Sequence, residues 1–400
     1  MTELLPQMRS RVATCWLQLA LAIVALCTFA IGPAWSQAGY STQAKQAILI
    51  DADTNAILFE HNADQLMHPA SMSKLMTLAM VFKALKAGQL KLEDEVQMSV
   101  NAWRNGGAPS GTAAMFVPVG EKVTVDELIQ GIIVQSGNDA SMAIAEAMAG
   151  TEQAFAQLMT QRAHELGLKS STFKNATGLH DPEHLTTARD LAHLAQHVIK
   201  QYPEYYPMFA QPDFRYRRHR FINRNPLLKL DIGADGLKTG YTEESGYGIV
   251  ASAKQDGRRL IVVVNGLPTA AKRNDEAARL LQWGFRSFSE FRLFDEGEVV
   301  GRARVWGGDQ FYLPLTGNGT GVSVWLPRAV ANQRLKAEII YDSPLKPPIR
   351  KGEPVAKLRV TSAINSTSEV PLYAAEDVAT AGIMRRGLDT LAYMAFRWIP

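Results

Sequence analysis

Runs of apolar residues at two different periods divide the chain. Residues 47–51 and 56–60 are short β-type runs around Ala52-Asp53-Thr54-Asn55, and they predict a hairpin. Pro69 then precedes residues 71–85, where Met72, Leu75, Met76, Ala79, Phe82 and Leu85 recur at helical spacing. Proline at or just before the first turn suits a helix start. Residues 124–133, 138–149 and 185–200 read as further helices, the second rich in alanine and methionine. The period changes again at 247–253 and 260–264, two strand-like runs around Gln255-Asp256-Gly257, whose Asp-Gly pair is a hairpin turn signal. Residues 276–285 return to helix. Strands at both ends with helices between predict an α+β fold, in which the terminal strands complete one antiparallel sheet and helices pack on it.

From about residue 291 the texture is short alternating strands, at 299–306, 321–326, 335–341 and 355–360, punctuated by Pro and Gly. This predicts a separate small all-β domain. At residues 382–399 a helical projection puts Ile383, Leu388, Leu391, Trp398 and Ile399 on one half, and Arg385, Arg386, Asp389 and Arg397 on the other. Charges on one face exclude a spanning helix and suit one lying in a membrane interface.

Composition narrows the class. A formal net charge of +3 over 400 residues, with no long basic run, gives no reason to expect nucleic acid. At the N-terminus Arg9 and Arg11 precede an uncharged stretch, residues 12–31, and then Gly32-Pro33-Ala34-Trp35-Ser36. The order is that of a signal peptide, with the small residues Ala34 and Ser36 favouring cleavage after Ser36 over an uncleaved anchor, for which the uncharged run is almost long enough. Both cysteines, Cys15 and Cys27, fall inside it. The processed chain would have no thiol, which removes cysteine-based zinc sites and thiol catalysis.

Three short motifs carry the candidate chemistry. Ser71-Met72-Ser73-Lys74 sets a hydroxyl and an amine three residues apart, on one helix face. Serine needs a base to become a nucleophile, and a lysine can be that base where burial or a neighbouring cation lowers its pKa. Ser136-Gly137-Asn138 is the second motif and Lys238-Thr239-Gly240 the third. The first two have decoys at Ser171-Thr172-Phe173-Lys174 and Ser99-Val100-Asn101, so each alone reads more readily as an ordinary helix surface or N-cap than as chemistry. The third occurs once and precedes the hairpin at 247–264. In this order they match the set known from β-lactamases and penicillin-binding proteins, with Gly137 in place of an aspartate.

The chain resembles the low-molecular-mass penicillin-binding proteins, specifically the serine D-alanyl-D-alanine carboxypeptidases. The likeness covers nearly the whole chain. It is carried by Pro-Ala-Ser-Met-Ser-Lys-Leu-Met-Thr (69–77), Ser-Gly-Asn-Asp (136–139), Asn-Ala-Thr-Gly-Leu (175–179), Gly-Leu-Lys-Thr-Gly-Tyr-Thr (236–242) and Leu-Leu-Gln-Trp-Gly-Phe (280–285). The resemblance implies a signal peptide at 1–36, a peptidase domain at 37–290, a β-rich domain at 291–380 and a membrane-associating helix at 381–400. It implies that Ser71 attacks the carbonyl between two terminal D-alanines of a peptidoglycan stem peptide, and that Lys74 accepts its proton. Ser136 would shuttle protons with Asn138, which also holds the substrate amide. Lys238 and Thr239 would hold the terminal carboxylate, and Gly240 would let substrate backbone approach the strand. The N–H groups of Ser71 and Tyr241 would form the oxyanion hole. Arg273 is the best match to a carboxylate-binding arginine of the family, with Lys272 as its rival.

The same likeness makes β-lactams covalent inhibitors and places the enzyme on the periplasmic face of the bacterial inner membrane. A DD-endopeptidase shares this machinery. A β-lactamase would need a deacylating base, and no Glu-x-x-Leu-Asn element lies between the second and third motifs; Glu183-His184-Leu185-Thr186 departs from it. No cofactor or metal is called for. Pro182 interrupts the pair His180 and His184, and the pair His193 and His197 lacks an evident third ligand.

Overall fold

The computed structural model describes residues 40–317, 319, 321–328, 335–361, 367–383 and 386–387. The signal segment expected at 1–36 and most of the helix expected at 381–400 lie outside them. The compact unit that begins at Thr42 is built on an antiparallel sheet in the order β2-β1-β9-β8-β7. Its strands are β1 (Gln46–Asp51), β2 (Ile57–His61), β7 (Ala234–Thr242), β8 (Gly246–Gln255) and β9 (Arg258–Leu267). Two small two-stranded sheets lie apart from it: β3 (Glu95–Gln97) with β4 (Lys122–Thr124), and the hairpin of β5 (Asp213–Tyr216) and β6 (His219–Ile222).

β1 is buried along its whole length, so it reads as a continuous apolar run rather than an alternation. Alternate side chains nonetheless go to opposite faces. Ile48 and Ile50 join the main core with Ile261 and Val263 of β9. Leu49, between them, faces Gly284, where an added Cβ would stand 2.5 Å from its Cδ2. The first face is covered by α1 (Lys74–Lys86), α4 (Asn138–Ala149), α5 (Glu152–Glu165) and α6 (Ala188–Gln201), whose apolar residues share that core. The other face takes α7 (Ala270–Ser287). Two shorter helices, α2 (Val100–Gly106) and α3 (Val125–Gln130), complete the helical layer.

Most sequence-derived elements stand, with shifted ends. The helix expected at 71–85 is a single 3-10 turn, Ala70–Ser73, followed by α1. The one expected at 124–133 is α3 followed by a π-helical stretch, Gly131–Gln135. α5 and the β5–β6 hairpin are additional.

Beyond α7 the chain forms β10 (Phe288–Phe294), β11 (Gly301–Arg304), β12 (Tyr312–Thr316), β13 (Val322–Pro327), β14 (Lys336–Ile340), β15 (Pro354–Thr361) and β16 (Thr367–Ala374). Ala303, Leu313, Leu315, Val324, Leu358, Val360 and Leu372 give these strands a core of their own. They meet the first sheet where Thr367 pairs with Ile57. Arg258 of β9 makes a second tie. It is buried, bonds Asp51 at 2.9 Å, and lays its guanidinium 3.6 Å from the ring centroid of Trp325 on β13.

Candidate active site

The 3-10 turn is what makes the first motif work. With three residues per turn, side chains at i and i+3 eclipse. Ser71 and Lys74 are such a pair, and Lys74 Nζ donates to Ser71 Oγ at 3.0 Å. Lys74 also donates to Asn138 Oδ1 at 2.7 Å and to the Thr177 carbonyl at 2.5 Å. Its side chain is fully buried. That burial, reinforced by the Arg224 charge, pulls its pKa down to about 7, while the carboxylates of Glu152 and Asp139 oppose the fall. An amine so placed is free to take a proton from Ser71 near neutral pH.

Several elements hold this turn. Ala70, immediately before the nucleophile, sits in the left-handed region with φ 48°. Such backbone persists only where its surroundings fix it. The loop at 175–179 supplies one fixture: Asn175 Oδ1 accepts from Thr177 N and Gly178 N, which turns the Thr177 carbonyl towards Lys74. Gly178 has φ 78°, and a Cβ there would stand 2.0 Å from the Ala70 carbonyl oxygen. Glu152 Oε1 accepts from Ala176 N at 2.9 Å, and Thr77 donates to the Ala176 carbonyl at 2.8 Å, so the loop is pinned from beneath. β7 supplies the second fixture. A Cβ on Gly240 would stand 2.9 Å from the Pro69 carbonyl oxygen. Gly240 therefore admits the protein's own nucleophile turn against the strand, where the sequence reading had given that space to substrate.

The second motif lies at a strained junction. The π-helical stretch ends at Ser136, which has φ 64° and ψ 33°. Its Oγ is buried and takes no hydrogen bond among the described residues. Asn138 opens α4, and its amide nitrogen donates to Thr112 Oγ1 at 2.9 Å. Asp139 accepts from Met115 N at 2.8 Å, tying the wall that carries Thr112 to the same helix. At Gly137 a Cβ would already stand 3.1 Å from Asp139 Oδ1, so a larger side chain there is crowded.

A cleft of about 510 Å³ opens over these groups. Ser71, Ser136, Asn138, Thr239, Gly240, Tyr241 and Arg273 all line it, and no carboxylate does among the described residues. Lys238 is not on its surface. It lies beneath, 1% exposed, with Nζ on the Thr239 carbonyl at 3.2 Å. Burial, with the charges of Lys74, Arg224 and Arg273, holds its pKa well below the ordinary lysine value. Thr239 and Arg273, unlike Lys238, reach the cleft. Arg273 is buried on the first turns of α7, with its guanidinium 5.9 Å from the Tyr247 ring centroid. Lys272, by contrast, is exposed and does not line the cleft.

The decoys have other work. Ser171 Oγ is buried against Asp190 Oδ2 and Thr186 Oγ1, each at 2.8 Å, and Lys174 pairs with Glu183 at 2.8 Å. Ser99 caps α2, accepting from Ala102 N at 2.9 Å. His184 is buried and pushed down to about 4, hence neutral, chiefly by desolvation. Among the described residues no group of three or more His, Cys, Asp or Glu is placed to hold a metal. The sequence reading missed Arg224, which lines the cleft, and the Thr177 carbonyl. A backbone acceptor leaves no trace in residue type, and Arg224 stands outside every motif.

A serine hydrogen-bonded to a buried amine, in a cleft whose ionic groups among the described residues are Arg224 and Arg273, is suited to acyl transfer from substrates that carry a carboxylate. That is the class of the serine penicillin-recognising peptidases, and the chain belongs to the D-alanyl-D-alanine carboxypeptidase family, peptidase family S11. The family pattern described as D-alanyl-D-alanine carboxypeptidase matches residues 33–269, and the one described as penicillin-binding protein 5, C-terminal domain, matches 288–380. The chain is 38% identical over 361 residues to the D-alanyl-D-alanine carboxypeptidase DacC of Escherichia coli (strain K12), covering 90% of each chain. It is 34% identical over 372 residues to DacF of Bacillus subtilis (strain 168), covering 90% of this chain and 94% of that one. The crystal structure of penicillin binding protein 5 from Haemophilus influenzae is similar, with a TM-score of 0.71 at 34% identity over 85% of this chain and 98% of the other.

Proposed function

We propose that this chain is a serine D-alanyl-D-alanine carboxypeptidase that removes the terminal D-alanine from peptidoglycan stem peptides and is acylated by β-lactams. The observation that carries the reading is the 3.0 Å contact between Ser71 Oγ and a fully buried Lys74 whose pKa is drawn to about 7. In this reading Lys74 takes the Ser71 proton as Oγ attacks the penultimate carbonyl. A tetrahedral oxyanion forms against the N–H groups of Ser71 and Tyr241. Its collapse breaks the C–N bond, and the departing D-alanine nitrogen takes the proton back through Lys74 and Ser136. Arg273 and Thr239 hold the terminal carboxylate, while Lys238 braces the strand from beneath through the Thr239 carbonyl. Water then releases the acyl group by the same proton route.

The test is incubation with a defined pentapeptide and with a cross-linked muropeptide, followed by product analysis. Release of free D-alanine from the pentapeptide supports the carboxypeptidase. Cleavage of the cross-link alone would make the chain an endopeptidase. Rapid multiple-turnover hydrolysis of penicillin would point to a β-lactamase, a reading weakened by the lack of a carboxylate on the cleft among the described residues.

We also propose that the chain is exported, processed after Ser36, divided at about residue 290 between peptidase and β-rich domains, and held peripherally at the periplasmic face of the inner membrane by residues 381–400. Support comes from the basic and then apolar N-terminus and from the two-faced tail. No helix of the described residues is long and apolar enough to cross a membrane. Cell fractionation of a form lacking residues 382–400 tests the anchor: the shortened enzyme should be soluble and still active, and retention on membranes would place the anchor at the N-terminus.

A further inference from the structure

The β5–β6 hairpin carries charge out of proportion to its length. Asp213 and four arginines, Arg215, Arg217, Arg218 and Arg220, give it a net +3, equal to the formal net charge of all 400 residues. The strand register sets Arg215 directly opposite Arg220. Like charges facing each other across an antiparallel pair cost stability, so the hairpin is not optimised for folding. Arg220 is relieved by Asp213 at 2.6 Å, and Arg217 pairs with Glu121. Arg215 and Arg218 are exposed and make no salt bridge among the described residues, although Arg215 lies near enough to Asp213 to help hold its carboxyl below the ordinary value.

The opposite face of the hairpin is firmly held. Phe214, Tyr216 and Phe221 are buried, and Tyr216 Oη donates to Glu121 at 2.9 Å. Asn223, just past β6, donates to the carbonyls of Phe209 and Gln211. One residue further, Arg224 N donates to the Val134 carbonyl, two residues before Ser136, and the Arg224 side chain lines the cleft. Arg224 of the cleft and the outward arginines of the hairpin are therefore carried by one firmly held stretch of chain.

Resting on the peptidase reading above, we propose that this hairpin is a second binding surface for the polymeric substrate, taking the carboxylates of neighbouring stem peptides while one stem occupies the cleft. A polymer that repeats its anionic stems can engage both surfaces at once, which raises the effective concentration of the reacting stem. Exposed arginines act over about one Debye length, ~8 Å at physiological salt, so the contribution should be salt-sensitive.

The test compares wild type with Arg215→Ser/Arg218→Ser and Arg215→Lys/Arg218→Lys. Co-sedimentation with purified peptidoglycan sacculi, done in a Ser71→Ala background, reads binding without turnover. D-alanine release from a soluble pentapeptide reads catalysis without polymer. The serine pair should weaken sacculus binding about tenfold at low salt. The lysine pair should retain most of that binding, high salt should erase the difference, and kcat/KM on the soluble pentapeptide should be unchanged. Sacculus binding unchanged by the serine pair overturns the proposal. So does a loss confined to vesicles of anionic phospholipid, which would make the hairpin a membrane contact. Failure of the wild type to cleave the soluble pentapeptide would sink the peptidase reading instead.

Discussion

Moving the pH across neutrality tests the electrostatic poise on which catalysis rests. Lys74 is buried, and its pKa is brought down to about 7. If the free amine is the base, acylation should follow its neutral fraction: about one half at pH 7, about one tenth at pH 6, about one hundredth at pH 5, and a plateau above about pH 8. A solvated lysine would be neutral at pH 7 in only about one molecule in 3,000, so the lowered pKa raises the free-amine fraction roughly a thousandfold. Two charges beside Lys74 act in opposite senses. The Glu152 carboxylate raises its pKa, so Glu152→Gln should move the acid limb to lower pH and speed acylation at pH 6. The Arg224 guanidinium lowers it, so Arg224→Gln should move the limb to higher pH. Glutamine at 152 can still accept from Ala176 N, so the loop is held while the charge is removed. The assay is stopped-flow acylation by a chromogenic cephalosporin from pH 5 to 10. A rate still climbing tenfold per unit at pH 9, or both variants shifting the limb the same way, would refute the assignment of Lys74 as the neutral base.

Other outcomes follow from the same geometry. Ser71→Ala should abolish covalent labelling by a fluorescent penicillin. Ser171→Ala should keep labelling but lose about 1–3 kcal/mol of stability, read from urea midpoints, because Asp190 and Thr186 lose a buried partner. Arg273→Ala should cut D-alanine release roughly tenfold or more, with a smaller effect on β-lactam acylation and no matching effect of Lys272→Ala; equal losses from both would return the role to the pair. Gly178→Ala should slow acylation far more than Gly257→Ala, since its Cβ would collide with the Ala70 carbonyl whereas nothing stands within 4 Å at Gly257. Lys74 also links stability to pH. Its folded pKa lies below its unfolded value, so the unfolded chain binds the extra proton between about pH 7 and 10, and Lys74 should add to the rise of stability with pH there by at most about 1.4 kcal/mol per unit. Lys74→Met should reduce the slope to the share left by Lys238, whose folded pKa is also depressed, and an unchanged slope would place the titration elsewhere.

The sequence by itself determined much of this protein. Periods of two and of 3.6 residues separated strands from helices, because a residue's partners along one element are set by local geometry alone. The three motifs and their order were legible for the same reason: Ser71 and Lys74 are three residues apart whatever lies around them, and the family resemblance is written in such local strings. Tertiary structure decided which of two identical spacings is chemistry. Ser171 and Lys174 repeat the motif, yet Ser171 is locked by Asp190 and Thr186, while Lys74 is desolvated and met by Asn138 and the Thr177 carbonyl. It decided that Lys238 works from beneath the cleft, that Arg273 rather than Lys272 faces it, and that Arg224 joins them. It also gave Gly240 its reason, the approach of Pro69 and Ala70. Each of these depends on the packing of segments tens to hundreds of residues apart. Burial sets pKa and contact sets role, and neither is a property of residue type or spacing along the chain.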